Sequence, residues 1–348
     1  MSIKKYRTSI LLALTFIILL STFWYMPQLA FIIFISLLLQ LLLLPVTEKL
    51  SAKMPRSLAA GLVLLCFISL ALLLLMLVSK SFIPTFSRFV TDFPQITEEV
   101  QNLPWLRESD FLQSELDDIW AEMKNASMTA LKSSLTLLLS LFSKVIDLVI
   151  IFFVTFYLLK DGEQIQSYLA GLFPTRDYRR VMQLFDRILS ALRVYICSQL
   201  VICCITAVIV FLYFTIRNLP YASVFAVVSG ICEFIPVLGP TVASAFGTLL
   251  TATVNPVTAL QTAGFYLLLT QINHNFIYPT LIGKSLNLHP IAIILGIVLG
   301  GELLGGAGMF LAVPFIAICK LVIEDIYKDR VLIRKQEQAS RWLAKKRD

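Results

Sequence analysis

The sequence predicts an all-α integral membrane protein of about eight transmembrane helices, with broken or re-entrant helices in its C-terminal half. Three observations carry this. Of 348 residues, 58% are hydrophobic and only 15% charged, too little polar surface for a water-soluble body of that length. The charges are segregated, leaving runs such as the 21 residues from Leu58 to Val78 with none; about 20 apolar helical residues cross a hydrocarbon core of about 30 Å. Backbone amides in lipid must pair internally, which leaves helices or closed barrels, and these runs lack the short alternating pattern of barrel strands.

The N-terminal region, residues 1–79, holds three spans. Lys4, Lys5 and Arg7 precede the first, Thr8 to Tyr25. No small-x-small cleavage site precedes Trp24-Tyr25-Met26-Pro27, and a second apolar run, Gln28 to Leu44, follows at once, so the first run reads as a retained helix. A basic loop around Lys49, Lys53 and Arg56 leads to the third span, Leu58 to Val78.

Residues 80–143 change character. Pro84, Pro94 and Pro104 punctuate a polar stretch, and the segment Lys80 to Lys144 carries six basic and nine acidic residues. Within it Leu112, Leu116, Ile119, Trp120 and Met123 recur at three- and four-residue steps, the signature of an amphipathic helix too polar to span. The fourth span, 144–160, starts beside Lys144 and Asp147, which share a helical face and read either as a local ion pair or as a pathway lining. Residues 161–193 hold a second amphipathic pattern, Val181, Leu184, Phe185, Ile188 and Leu192, with Arg179, Arg180 and Arg187 on its polar face. Beside a membrane such a basic helix lies in the interface, drawn to anionic lipid, or docks a partner. Residues 194–324 form a C-terminal transmembrane region, and 325–348 a basic tail.

The formal net charge of +7 reflects topology rather than nucleic-acid binding. Positive charge collects at the N-terminus, in the Lys49–Arg56 loop, in Arg176 to Arg193 and after Lys320. Under the positive-inside bias this places both termini in the cytoplasm and 80–143 outside a cell inner (plasma) membrane crossed several times. All six cysteines lie in apolar segments, so no disulfide framework is expected outside. Cys203 and Cys204 are adjacent and lack metal-ligand spacing, and His289 stands beside Pro290 with no partner at a recognisable interval. No metal site and no cofactor is therefore expected. Walker A, HExxH and GxSxG patterns are absent, which argues against an enzyme.

The chemistry concentrates after residue 220. Pro236 and Pro240, with Gly239 between them, make a continuous helix through 236–240 untenable. Backbone freed at membrane depth must be buried in protein or face a wet cavity, as in the broken helices of transporters. Glu233 lies one turn before this break, and an intramembrane carboxylate points to proton or cation coupling or to a structural role capping backbone. The stretch 221–253 is then either a re-entrant hairpin or one broken crossing, and both schemes give eight crossings.

A second polar cluster, Gln271, Asn273, His274 and Asn275, ends an apolar run. Gln271, His274 and Asn275 share a face by spacing, to bind a polar solute or to hold helices together. The glycines of 296–308 have no preceding strand and the wrong spacing for a nucleotide loop; they fit close helix packing or a bend, beside which Glu302 repeats the pairing of a carboxylate with an interruption.

These segments together resemble the autoinducer-2 exporter family of permeases over nearly the whole chain. The signatures are Phe156-Tyr157-Leu158-Leu159-Lys160-Asp161-Gly162-Glu163; Tyr195 with Gln199; Phe234 to Pro240; and Asn275 to Pro279 with Gly283-Lys284 and Leu288-His289-Pro290. Gly300-Gly301, Gly305 and Gly308 follow, running to Ala312-Val313-Pro314. The resemblance implies eight spans, an external segment between the third and fourth, and a homo-oligomer in the lipid bilayer. It implies export of a small signalling molecule or sodium/proton antiport. Where many members carry a glutamate just before the asparagine matched by Asn275, this chain has Asn273 and His274, so coupling there falls to Glu233, Glu302 or His274. The expectation is a secondary permease for a small molecule or ion. Its pathway would be lined by Glu233, Pro236, Gly239, Pro240, Gln271, Asn273, His274, Asn275 and Glu302, with Asp161, Gly162, Tyr195, Gln199, Pro279 and Pro290 as framework positions; the competing class is a non-transport membrane scaffold.

Overall fold

The computed structural model describes residues 7–101, 134–236, 238–281 and 288–345. The stripe from Leu112 to Met123 lies outside them. Every regular element among the described residues is a helix: α1 (Arg7–Tyr25), α2 (Pro27–Ser51), α3 (Arg56–Gln101), α4 (Ser134–Gly171), α5 (Tyr178–Ile216), α6 (Ala222–Cys232), α7 (Leu238–Val254), α8 (Pro256–Ile272), α9 (Pro290–Leu304) and α10 (Gly306–Lys345). A π-helical turn, Asn273–Ile277, and a last helical turn, Tyr278–Leu281, extend α8.

Composition and backbone do not change together. The boundaries placed after 79, 160, 193 and 324 all fall inside continuous helices, α3, α4, α5 and α10. A polar or basic stretch alters what a helix is dissolved in, whereas helix propagation needs only the next backbone bond. The basic amphipathic helix and the fifth span are thus one element, α5.

Among the described residues, four stretches are long and apolar enough to cross a bilayer: α2, Arg56–Val78 of α3, α5, and Gly306–Lys328 of α10. Shorter apolar helices accompany them, α6, α7 and α9 among them. Along α3, the seven consecutive residues Leu72 to Val78 are all exposed. At about 100° per residue seven successive side chains point in every direction, so this helix is wrapped by apolar surroundings. That is the environment of a multi-pass membrane protein.

The chain divides into two compact units: Met1–Leu64, Ile150–Cys197 and Lys284–Asp348 form one, and Leu65–Val149 with Ser198–Gly283 the other. In the first, Leu38 and Leu41 of α2, Leu184 and Leu192 of α5, and Leu311 and Val322 of α10 share a buried core. Arg56 ties α3 to α4, donating to the Leu159 carbonyl at 3.1 Å and pairing with Glu163 at 2.7 Å. Helices α9 and α10 double back at Gly305, whose φ of 60° and ψ of −142° suit glycine alone. A Cβ at Gly308 would overlap the Gly300 carbonyl, so the two helices touch backbone to backbone. This is the close packing that small residues permit.

The basic face of α5 is not simply a lipid-facing surface. Arg180 donates to Asp325 Oδ2 through Nε at 2.9 Å and Nη2 at 2.7 Å, and Arg187 reaches Oδ1 at 2.8 Å. Asp325, on α10, is 5% exposed. Arg179 remains exposed.

In the second unit, α6 and α7 form a hairpin. Phe225 lies seven residues before the end of α6 and Phe246 eight after the start of α7, yet their ring centroids are 6.0 Å apart. In a collinear crossing these positions would be separated by about 20 Å or more. The chain has therefore folded back, the geometry that the re-entrant scheme requires. Asn255 then turns the chain into α8, its Oδ1 capping Thr258 N at 2.7 Å with Pro256 at the first helical position.

Candidate functional site

The second unit holds a buried polar cluster built from three elements. Helix α5 presents Gln199, Cys203 and Thr206 at steps of four and three, hence on one face. Helix α6 ends at Cys232, and Glu233 caps it. The break follows at 233–236, and α7 resumes at Leu238, placing Pro240 in a first turn where its missing donor costs nothing. A Cβ at 239 would overlap the Cys232 carbonyl, so only glycine lets the hairpin close. Helix α8 runs back from the Asn255 turn and delivers Asn273 at the start of its π turn, a rare distortion that recurs at functional sites.

These residues converge on Glu233. Asn273 Nδ2 donates to Glu233 Oε1 at 3.2 Å and to Thr206 Oγ1 at 3.1 Å. The Thr206 hydroxyl also bonds to the Glu233 carboxylate. Gln199 Nε2 donates to the Glu233 main-chain carbonyl at 2.7 Å, which has lost its intrahelical partner because the helix stops. Glu233 is 2% exposed, Gln199 0%, Asn273 2% and Thr206 3%. Among the described residues no basic side chain pairs with the carboxylate. Asn273 Oδ1 is buried without a hydrogen-bond partner among the described residues, and the Gln199 side chain lies within hydrogen-bonding reach of Cys203 and Tyr278. Cys203, Cys232 and Tyr278 flank the carboxylate. Beyond it, Ser229 and Tyr266 share a hydrogen bond at 3.0 Å, and Tyr213 meets Thr262 at 3.3 Å while stacking on Phe265.

A family model, the AI-2E family transporter, matches residues 12–328. The chain belongs to this family. Among its relatives, "Putative transport protein YueF" of Bacillus subtilis (strain 168) is 30% identical over 89% of this chain and 90% of its own. "Putative permease PerM" of Escherichia coli (strain K12) is 24% identical, covering 86% and 88%. "AI-2 transport protein TqsA" of the same strain is 27% identical, covering 58% and 57%.

Of the residues singled out by sequence, this AI-2E family chain brings Glu233, Asn273 and Gln199 together. Pro236 lies in the hairpin turn beside them, and Gly239 and Pro240 in the first turn of α7 that follows it. Gln271, His274 and Asn275 do share a face, but that face is exposed: Asn275 Nδ2 donates to Gln271 Oε1 at 2.9 Å, and His274 stacks on Tyr278. Glu302 is exposed on α9 of the first unit. Tyr195 is buried in the first unit, Asp161 pairs with Lys160 at 3.4 Å, and Gly162 lies in contact range of Gln40. Pro279 is exposed past the π turn, and Pro290 opens α9, capped by His289 Nδ1 accepting from Ile291 N. Thr206 was not singled out, although its spacing from Gln199 signals a polar stripe on an otherwise apolar helix.

Proposed function

We propose that this chain is a secondary permease that exports a small polar solute, such as a quorum-sensing signal, with flux linked to protons or sodium. Membership of a transporter family supports the class, and the name of the TqsA relative supports the solute. The observation that carries the reading is the Glu233 carboxylate, buried at a helix break, with Asn273 and Thr206 bonded to it, Gln199 on the main-chain carbonyl of the same residue, and no basic partner among the described residues. A carboxylate in that setting is costly to hold unless it exchanges a proton or a cation during work. The hairpin supplies the moving part: its turn is short, its two helices are only 11 and 17 residues long, and its ends carry partial charges.

The test is flux in proteoliposomes. Glu233→Gln keeps size and hydrogen-bonding capacity but removes the exchangeable charge. Solute movement driven by a proton or sodium gradient should fall to background while expression and oligomeric profile match the parent protein. Gradient-driven flux that survives the substitution removes Glu233 from coupling. The sodium/proton antiporter reading shares this site, and replacing the solute gradient with sodium against protons separates the two.

A further inference from the structure

We propose that Tyr221 and Asp92 form a latch that holds the foot of the α6–α7 hairpin on α3, making Tyr221 a positioning residue for Glu233 at the far end of α6. The inference rests on the transport reading for its purpose, though the latch is measurable without flux.

The first argument is a local cost. Of the described residues other than glycine, only Asn218 and Tyr221 take positive φ, 50° and 58°. They bracket Leu219-Pro220 in the turn between α5 and α6. Asparagine visits the left-handed region readily, whereas a bulky aromatic residue does so under strain. Tyr221 is also the N-cap of α6 and makes no side-chain capping bond, at a position where serine, threonine, asparagine, aspartate or glycine serves better. Position 221 therefore breaks two local preferences at once. Such a residue persists only where its surroundings hold it in place, and strain of this kind gathers at elements that switch.

The second argument is what holds it. The Tyr221 hydroxyl donates to Asp92 Oδ2 at 2.6 Å, the length of a charge-assisted bond. Both residues belong to the second unit and both are half-buried, so the bond is partly sheltered from water. The Tyr221 ring packs against the buried cluster that contains Phe214, Leu219 and Phe225. Its main-chain carbonyl accepts from Val224 N at 2.9 Å and Phe225 N at 3.1 Å, the first bonds of α6. Asp92 lies on the part of α3 that continues past the apolar stretch ending at Val78. One phenol thus ties that extension of α3 to the start of the hairpin.

The third argument is leverage. Helix α6 has 11 residues, a rod of about 16 Å, with Tyr221 at one end and Glu233 at the other. Glu233 N bonds to Ser229 O at 3.0 Å, so the carboxylate travels with the last turn of this rod. Between the ends, Ser229 Oγ and Tyr266 Oη of α8 meet at 3.0 Å and serve as the pivot. When the phenol leaves Asp92, the left-handed turn relaxes and the foot swings. The other end then carries Glu233 away from Asn273 of α8 and Thr206 of α5. Bond and strain oppose each other, the balance that an element with two positions needs.

The experiment is amide hydrogen exchange of the full-length protein in nanodiscs, read in peptides covering the two ends of α6. Tyr221→Phe keeps the ring and removes the hydroxyl, and Asp92→Ala removes its acceptor. Each should raise exchange about tenfold at Val224 and Phe225. Each should raise it in step at Glu233, Phe234 and Ile235, a distant response that a merely local role for Tyr221 would not give. The double variant should exchange no faster than either single one, because both cut the same bond. Unchanged exchange in Asp92→Ala overturns the proposal, and that variant decides the matter if Tyr221→Phe fails to fold. A rise confined to the first turn of α6, or effects that add in the double variant, overturns it equally. Exchange of that kind beside intact solute flux defeats the latch and spares the permease reading; the coupled response in a protein that moves no solute does the reverse.

Discussion

Asp325 is a single side chain that holds two helices of the first unit together. Its carboxylate joins α10 to α5 by accepting three charge-assisted bonds of 2.7–2.9 Å, two from Arg180 and one from Arg187. Arg180 also reaches the Asp325 main-chain carbonyl at 3.2 Å. Asp325→Asn preserves shape and removes the charge. The side chains of Arg180 and Arg187 are 23% and 42% exposed, so the two pairs weigh differently. A hydrogen bond to a charged group contributes about 1.5–3 kcal/mol when screened from water; a pair as open as that of Arg187 contributes about 0–1 kcal/mol. The substitution should therefore destabilise the protein by about 1.5–4 kcal/mol. Equilibrium unfolding in mixed detergent micelles measures this, with Arg180→Gln and Arg187→Gln alongside. Arg180→Gln should be the more costly of the two arginine variants, and added salt should change its effect little because the pair is partly sheltered. A cost below about 0.5 kcal/mol for Asp325→Asn, or a larger cost for Arg187→Gln than for Arg180→Gln, refutes the assignment of Asp325 as the clamp between these helices.

Other substitutions test the turns. Gly305→Ala should cost about 1–3 kcal/mol, since φ of 60° with ψ of −142° is closed to a residue with Cβ; thermal unfolding reports it. Gly308→Ala should cost a similar amount, about 1–3 kcal/mol by overpacking, because the new methyl meets the Gly300 carbonyl, and a disulfide or spin-label pair across α9 and α10 should show the helices parting. Asn255→Ala removes the cap on Thr258 N and should cost about 1 kcal/mol, read in the same unfolding assay. Loss of gradient-driven flux in Glu233→Gln remains the decisive functional measurement.

Much of the architecture was legible because it is local. The first helix, the turn at Met26-Pro27 and the interruption near Pro236–Pro240 all follow from apolar length and proline chemistry, and the structure places them within a few residues of expectation. Helix ends in the long elements were not legible. The boundary after 79 rested on a change of composition and on Pro84 and Pro94, yet α3 runs through to Gln101. The pairing of Arg180 and Arg187 with Asp325 was hidden for a different reason: about 140 residues separate the partners, and nothing in a basic amphipathic stripe distinguishes lipid phosphate from a distant carboxylate.

By itself the sequence determined that the chain lives in a membrane, that it is helical, that it breaks beside Glu233 and that Gln271, His274 and Asn275 lie on a common face. Spacing and backbone chemistry settle those matters within a turn or two of helix. Only the tertiary structure decided that 221–253 folds back as a hairpin, and that Asn273, rather than its three polar neighbours, turns inward to meet Glu233 and Thr206. The reason lies in the solvent. In water an apolar stripe marks the buried face of a helix, but lipid is as apolar as a protein core. Periodicity in such a helix says which residues travel together, and packing alone says which way they face.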